Sequence, residues 1–318
     1  MIYSGNLPTF DTGRGDIRVI ANAHEGPARL SICIPTFRDD PSELIRRLTA
    51  LPGARDCELL IYDDGSDDPD MSLRIAAAIM NYPGPAQFIA AARNSGRSTA
   101  RNMLVSAASR DWVLFIDADM LPDDAGYLSR YLDFIEAQAS PAVIAGGFSL
   151  KQAQPGRLQR LHAAQARQSD CLPATRRASD PGRYVFTSNI LVHRQVLSGI
   201  PFDEQYKGWG WEDVDWGLRV ASVFPIHHID NTATHLGLDS DKILVRKFAG
   251  SGANYARLVH RHPVAAARMS LTRVARRVRH WPFLAGISRA VALQTLLPVP
   301  VRLFALKLHR ARMYADHI

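Results

Sequence analysis

Residues 206–217 read Tyr-Lys-Gly-Trp-Gly-Trp-Glu-Asp-Val-Asp-Trp-Gly. Three of the chain's five tryptophans, Trp209, Trp211 and Trp216, stand here beside three glycines and the carboxylates Glu212, Asp213 and Asp215. An indole offers a flat apolar face and one N–H donor, and a carboxylate accepts hydrogen bonds from hydroxyls. A sugar has apolar C–H faces and a rim of hydroxyls. Trp209, Gly210, Trp211 and Glu212 are therefore candidate saccharide-binding residues, with glycines that allow close approach and sharp turns. The competing reading is a Trp-rich turn packed on a core, with solvated acids.

A second acidic group, Asp117-Ala118-Asp119, follows the apolar run WVLFI. On an extended segment alternate residues point the same way, so both carboxylates could face one point. Hard oxygen ligands at a strand end suit Mg²⁺ or Mn²⁺ that also holds phosphate. Two solvated turn aspartates are the alternative. Asp63-Asp64-Gly65-Ser66 follows another apolar run. Its carboxylates could accept from ribose hydroxyls or a base N–H, or could simply cap a helix. Arg93, Arg97 and Arg101 suit a diphosphate or the nearby aspartates.

The elements that must position these groups are legible as strand–turn–helix units. Strands are expected at 30–36, 58–62, 87–92 and 112–116, each followed by a helix, at 41–51, 71–80, 98–109 and 123–138. Near-continuous apolar strands alternating with helices imply a parallel sheet covered on both faces. In such sheets ligands bind beyond the carboxyl ends of the strands. The polar clusters Pro35-Thr36, 63–66, Arg93-Asn94 and 117–119 fall at those ends. Further on, 142–148 and 184–192 read as strands, 158–168 as a helix, and 169–182, rich in Pro, Ser and Arg, as a mobile loop.

Composition bounds the rest. The chain has 318 residues, 47% hydrophobic and 22% charged, which is ordinary for a globular protein with an ample core. Three cysteines without a spacing pattern argue against a disulfide framework or a zinc site and for a reducing compartment. No secretory signal and no long uncharged apolar run is evident, so a cytoplasmic location is expected. The net charge of +7 is unevenly spread: 242–318 holds 15 Lys and Arg against one acid, Asp316, and the remainder is acidic. A basic tail points to an anionic partner, a membrane surface before nucleic acid. Leu271, Val274, Val278 and Trp281 at three- and four-residue steps, with arginines between, predict an amphipathic helix able to lie on the inner face of the cell membrane. A helix packed on its own domain is the alternative.

Taken in order, IPTFRDDPSELIRRL from Ile34, IYDDGSDD from Ile61, ARNSGRSTARN from Ala92, FIDADMLPD from Phe115, SNILVHR from Ser188 and FDEQYKGWGWEDVDWGLR from Phe202 resemble family 2 glycosyltransferases of the GT-A fold. The resemblance covers about 30–240. Its last motif is similar to the acceptor-side motif of galactosyltransferase and chondroitin-polymerase type enzymes. It implies an α/β fold with three parts: an N-terminal extension at 1–28, a GT-A domain at 29–241 and a basic helical region at 242–318. It implies that Pro35, Thr36, Asp63 and Asp64 contact the nucleotide, with Arg93, Arg101, Asp117 and Asn189 around the donor. Asp117, Asp119 and His235 would hold Mn²⁺ or Mg²⁺. Glu212 and Asp213 would bind the acceptor, with Asp213 as base and Asp215 as a brace; the competing choice is Glu212 as base with Asp213 orienting the acceptor. Trp211 departs from the pattern, which has a small residue there.

The chemistry is consistent with that implication. A sugar hydroxyl is a poor nucleophile, so a carboxylate must take its proton as it attacks the donor C1. The departing nucleoside diphosphate gains charge that a divalent cation offsets. The reading is an inverting, metal-dependent transferase moving a sugar from a nucleotide-sugar, with UDP expected. The acceptor would be a saccharide or lipid-linked saccharide in polysaccharide assembly. The rivals are a nucleotidyltransferase, which lacks a Gly-rich phosphate loop here, and a non-catalytic saccharide-binding or scaffold protein.

Overall fold

The computed structural model of the protein describes residues 9–11 and 16–318. The four strands expected from the apolar runs lie side by side as Ala86–Ala91, Cys57–Asp63, Leu30–Thr36 and Trp112–Ile116, all parallel. Their side chains alternate between two buried faces. Ile32, Ile34, Leu59, Ile61, Leu114 and Ile116 fill one core, and Cys33, Leu60, Tyr62, Val113 and Phe115 the other. Helices on both faces explain why these strands are apolar throughout rather than alternating.

Antiparallel strands extend this parallel centre. Asp16–Ala21 pairs with Ala86–Ala91, so part of the segment read as an N-terminal extension belongs to the sheet; the rest of 1–15 apart from 9–11 lies outside the described residues. Asn189–His193 pairs antiparallel with Trp112–Ile116 and carries Val143–Ala145 and then Ile226–His228 beyond it. The flanking helices form where local signals ask for them. Pro69–Met80 starts at Asp68, whose side chain accepts from the Met71 N–H, has Pro at its first position, and buries Met71, Ile75 and Ile79 along one face. The result is a central sheet with helices on both faces, the layering that the resemblance to the GT-A fold implies.

A smaller sheet sets Ala233–His235 between Met120–Pro122 and Phe148–Ser149. Its register puts His235 opposite Met120, one residue after the second aspartate of the acidic pair. The stretch 169–182 is not the mobile loop its composition predicts. It contains the short helix Ala174–Arg177, and Arg177 is fully buried, donating to the carbonyls of Leu172, Ala145 and Ile229. A guanidinium with several donors ties a polar segment down as firmly as apolar packing does.

After Asp241 the chain is helical: Asp241–Gly250, Gly252–Arg261, Pro263–Arg268, Ser270–Val278, Leu284–Leu293 and Val299–Tyr314. The last of these runs through the group, and its buried Arg302 pairs with the buried Asp241. The helix Ser270–Val278 does not present its apolar face outward. Thr272, Ala275 and Val278 are buried, and Leu271 and Val274 pack toward Ala311 and Ala315. The face expected to meet a bilayer is used inside the protein, and Trp281 alone of that set is exposed.

Candidate active site

The donor-side loops latch onto one another at the strand ends. Asp64 accepts from the backbone N–H groups of Ser95 and Gly96 at 2.9 and 2.8 Å. Asp63 accepts from the N–H and hydroxyl of Ser66. Burial raises the pKa of both carboxyls in spite of these bonds. Neither caps the following helix, which Asp68 does. Gly65 has φ +76°, and a Cβ there would meet the backbone of Arg93 and Asn94 at 2.5 to 2.8 Å. Only glycine lets these two loops close. Thr36 is buried and Pro35 half-buried beside them, whereas Arg93 is exposed.

Asp117 and Asp119 engage different partners. The segment is a turn, closed by the Met120 N–H donating to the Asp117 carbonyl at 3.1 Å, so the alternation of an extended strand does not apply. Asp117 accepts from Arg101 Nη2 at 2.8 Å and from the Ser188 hydroxyl at 2.7 Å. Asp119 lies 3.1 Å from His235 Nε2. Burial opposes charge on both members of that second pair. Their mutual attraction outweighs it, lowering the Asp119 pKa and raising that of His235.

No group of three His, Cys, Asp or Glu surrounds one point among the described residues. Mg²⁺ and Mn²⁺ bind through one or two protein groups plus substrate phosphates rather than in an all-protein cage. Asp119 and His235 fit such a half-site. Gly237 presses its backbone on the Asp119 carboxylate, where any Cβ would collide, so the loop is shaped around that group. Asp117 is instead engaged by Arg101.

Arg101 is buried and links the donor side to the acceptor side. Besides Asp117, its charge acts on Glu212 and Asp213. Arg97 Nη1 stands 3.9 Å from Glu212 Oε1. Glu212 is buried, and its Oε2 has no hydrogen-bond partner. Burial, and then the charge of Asp213, push its pKa up to about 7. Asp213 is half-exposed and accepts from the Thr187 hydroxyl at 2.6 Å; burial raises its pKa as well, against the attraction of Arg101. Both acids open the helix Glu212–Ala221, whose N-terminal dipole favours negative charge.

Each of the three tryptophans packs against another ring. Trp211 donates its Nε1 proton to the Tyr314 hydroxyl at 2.9 Å and packs on Tyr255, with Arg310 over its ring. It is thereby tied to the tail. Trp216 is fully buried, stacked on Phe202. Trp209 is half-buried against Phe248. Gly210 and Trp211 both have positive φ, 94° and 77°. For a bulky side chain this costs on the order of 1–3 kcal/mol and persists only where the surroundings impose it.

The tail imposes it. Asn254 donates to the carbonyls of Lys207 and Gly210 at 2.9 and 3.0 Å. Arg257 and Arg261 grip Asp203, while Arg261, His262 and Arg219 surround the fully buried Asp215. Asp215 is thus a brace, and the brace reaches the tail as well as its own helix.

Asn189 is not free to touch a donor. Its oxygen accepts from Tyr127 and Tyr131, and its nitrogen donates to the carbonyls of Gly147 and Asn231. All its hydrogen-bonding capacity is spent on the scaffold. Its neighbours Thr187 and Ser188, which orient Asp213 and Asp117, are the site residues of that motif. The three-residue run Thr-Ser-Asn at a strand start was the signal for them.

The family described as Glycosyl transferase family 2 matches residues 31–198. Among solved structures the fold is similar to a mannosyltransferase from Pyrobaculum calidifontis, described in complex with GDP-Man and Mn²⁺. The TM-score is 0.55 at 16% identity, over 92% of this chain and 89% of that one. A TarS fragment, 1–349, of S. aureus aligns with TM-score 0.49 at 17% identity, over 91% and 88% of the two chains. Among curated proteins none matches the chain.

Proposed function

We infer, on the premise that this chain belongs to glycosyl transferase family 2, that it is an inverting, metal-dependent enzyme of glycan assembly. It moves a sugar from a nucleotide-sugar, a UDP-sugar by preference, to a saccharide or lipid-linked saccharide at an anionic membrane surface. One observation carries the reading. Buried Arg101 is ion-paired with Asp117 at 2.8 Å, and its charge also acts on Glu212 and Asp213. That shared arginine supports two acidic groups with different tasks in one site at the carboxyl end of the parallel strands.

Asp213 is the base. Thr187 holds Oδ1, which leaves Oδ2 to take the proton of the acceptor hydroxyl. As that proton leaves, the acceptor oxygen bonds to the donor C1 and the bond from C1 to the diphosphate oxygen breaks, inverting the anomeric centre. Glu212, whose pKa burial and the charge of Asp213 raise to about 7, anchors the acceptor by hydrogen bonds. Pro35, Thr36 and the latched loops at Asp63 and Asp64 form the nucleotide side, and Arg93 and Arg97 face the diphosphate. Asp119 and His235 would hold Mn²⁺ or Mg²⁺, which supplies positive charge against the developing diphosphate charge.

A panel of UDP-sugars and GDP-mannose incubated with the protein and Mn²⁺, without acceptor, tests this. Slow release of nucleoside diphosphate from one donor is expected. Release of pyrophosphate, or no turnover of any donor together with no donor binding, would overturn it.

A further inference from the structure

We propose that the helical hairpin running from Trp281 to Phe304 is the surface that docks this protein on an anionic lipid bilayer. The proposal rests on the membrane element of the functional reading and locates it away from the helix that the sequence pattern favours. The apolar face of Ser270–Val278 is consumed by Ala311, Ala315 and their neighbours. The exposed apolar groups come immediately after it.

Trp281, Phe283 and Ile287 are 55%, 60% and 56% exposed, and Leu296, Val301 and Phe304 are 82%, 46% and 70% exposed. They sit before and on the helix Leu284–Leu293, on the turn after it, and on the start of Val299–Tyr314, which packs along it. The rings of Trp281 and Phe283 stack outside the core at 12° to one another. The backbone beneath them is held, since the Trp281 carbonyl accepts from Arg312 at 3.3 Å. Six of the exposed large apolar side chains are thus gathered on one anchored hairpin. Tryptophan with aliphatic neighbours is the composition that settles at the headgroup level of a bilayer.

Charge selects the occupant. Arg268, Arg273, Arg276, Arg277, Arg279 and Arg289 are exposed around this hairpin. The one acid of 242–318, Asp316, is already paired with Arg312. A second copy of the chain would bring the same arginines face to face, because a two-fold interface opposes like patches. An anionic lipid surface answers the arginines and the apolar groups together, with the arginine stems lying along the boundary. No helix among the described residues is long and apolar enough to cross the membrane, so contact of this kind lies on the bilayer.

The test is flotation of the full chain with vesicles of phosphatidylcholine alone and of phosphatidylcholine mixed with phosphatidylglycerol, beside donor hydrolysis in solution. Flotation with the mixed vesicles only is expected. Replacing Trp281 and Phe283 together with serine should weaken it about tenfold or more, and should leave soluble donor hydrolysis unchanged. Equal flotation of that variant would overturn the hairpin as the surface while sparing the membrane reading. No flotation of the wild type would overturn both and leave the transferase reading intact. Sedimentation showing a stable dimer that the same double variant splits would assign the hairpin to a second copy instead.

Discussion

The two sides of the proposed site, one read as binding the donor and the other the acceptor, are built in opposite ways. On the donor side the loops follow strands of one sheet and latch onto one another, and His235 reaches Asp119 from a second, smaller sheet. Asp64 binds the next loop through Ser95 and Gly96, and Gly65 lets the two backbones touch. On the acceptor side the loop at 203–211 has no strand beneath it. It is held by Asn254, Arg257, Arg261 and Tyr314, which lie 40 or more residues further along the chain. One half is positioned by local order. The other takes its strained backbone at Gly210 and Trp211 from a segment that carries no motif.

The comparison breaks first at the chemistry itself. Asp213→Asn should lower transfer by about a thousandfold or more, the upper part of what a general base contributes. Donor affinity should hold, because the residue belongs to the other half. Initial rates beside calorimetric UDP titration check this, and normal turnover would remove Asp213 as the base. Asp119→Ala is the donor-side counterpart. It should weaken Mn²⁺-dependent UDP binding by at least the roughly tenfold to hundredfold that loss of an outer-shell partner costs. Unchanged affinity with and without Mn²⁺ would count against the Asp119–His235 half-site.

The clamp sharpens the comparison. Asn254→Ala removes two hydrogen bonds to the acceptor loop, worth about 1 kcal/mol each. It should lower kcat/KM for the acceptor by about tenfold and leave the donor KM unmoved. Equal loss on both substrates would mean that the tail supports the whole domain rather than one half. The smallest effect is on the pH dependence. Burial and the charge of Asp213 raise the Glu212 pKa to about 7, so Glu212 ionises after Asp213. Glu212→Gln should therefore remove the fall in kcat/KM above about pH 7 and leave the acid limb set by Asp213 in place. Because burial raises the Glu212 pKa to about 7, the folded protein keeps a proton there that the unfolded chain releases above its ordinary value of 4.5. Stability from this group thus falls as pH rises from 4.5 through 7. The same variant should melt higher than wild type at pH 8 and gain little at pH 5, which thermal scans at both values would detect.

How much was legible follows the same division. Apolar runs ending in Pro35-Thr36, Asp63-Asp64 and Asp117 identified strand ends, because periodicity and turn chemistry are local properties of a chain. The pairing of His235 with Asp119 was accessible only through the resemblance, since it depends on an antiparallel register across a separate small sheet. Asn189 was assigned to the donor because a motif marks a position, not the direction of a side chain. The packing of the tryptophans was illegible for a related reason. An indole suits a sugar and a core equally well, and its partners decide between them. Here those partners are Tyr314, Tyr255, Phe248 and Phe202.

The sequence by itself therefore determined the parallel α/β centre, the family and the strand ends around which the donor side forms. Each rests on short-range pattern, and apolar burial on both faces of the sheet leaves that pattern little freedom. Only the tertiary structure decided that Trp211 faces the tail, that Asn254 shapes the acceptor loop and that the apolar face of Ser270–Val278 is used internally. The exposed apolar surface is thereby moved to the hairpin after Trp281. Those outcomes depend on which distant surfaces meet, and the hydrogen-bonding and packing demands of a side chain fix that it must find a partner without naming which one.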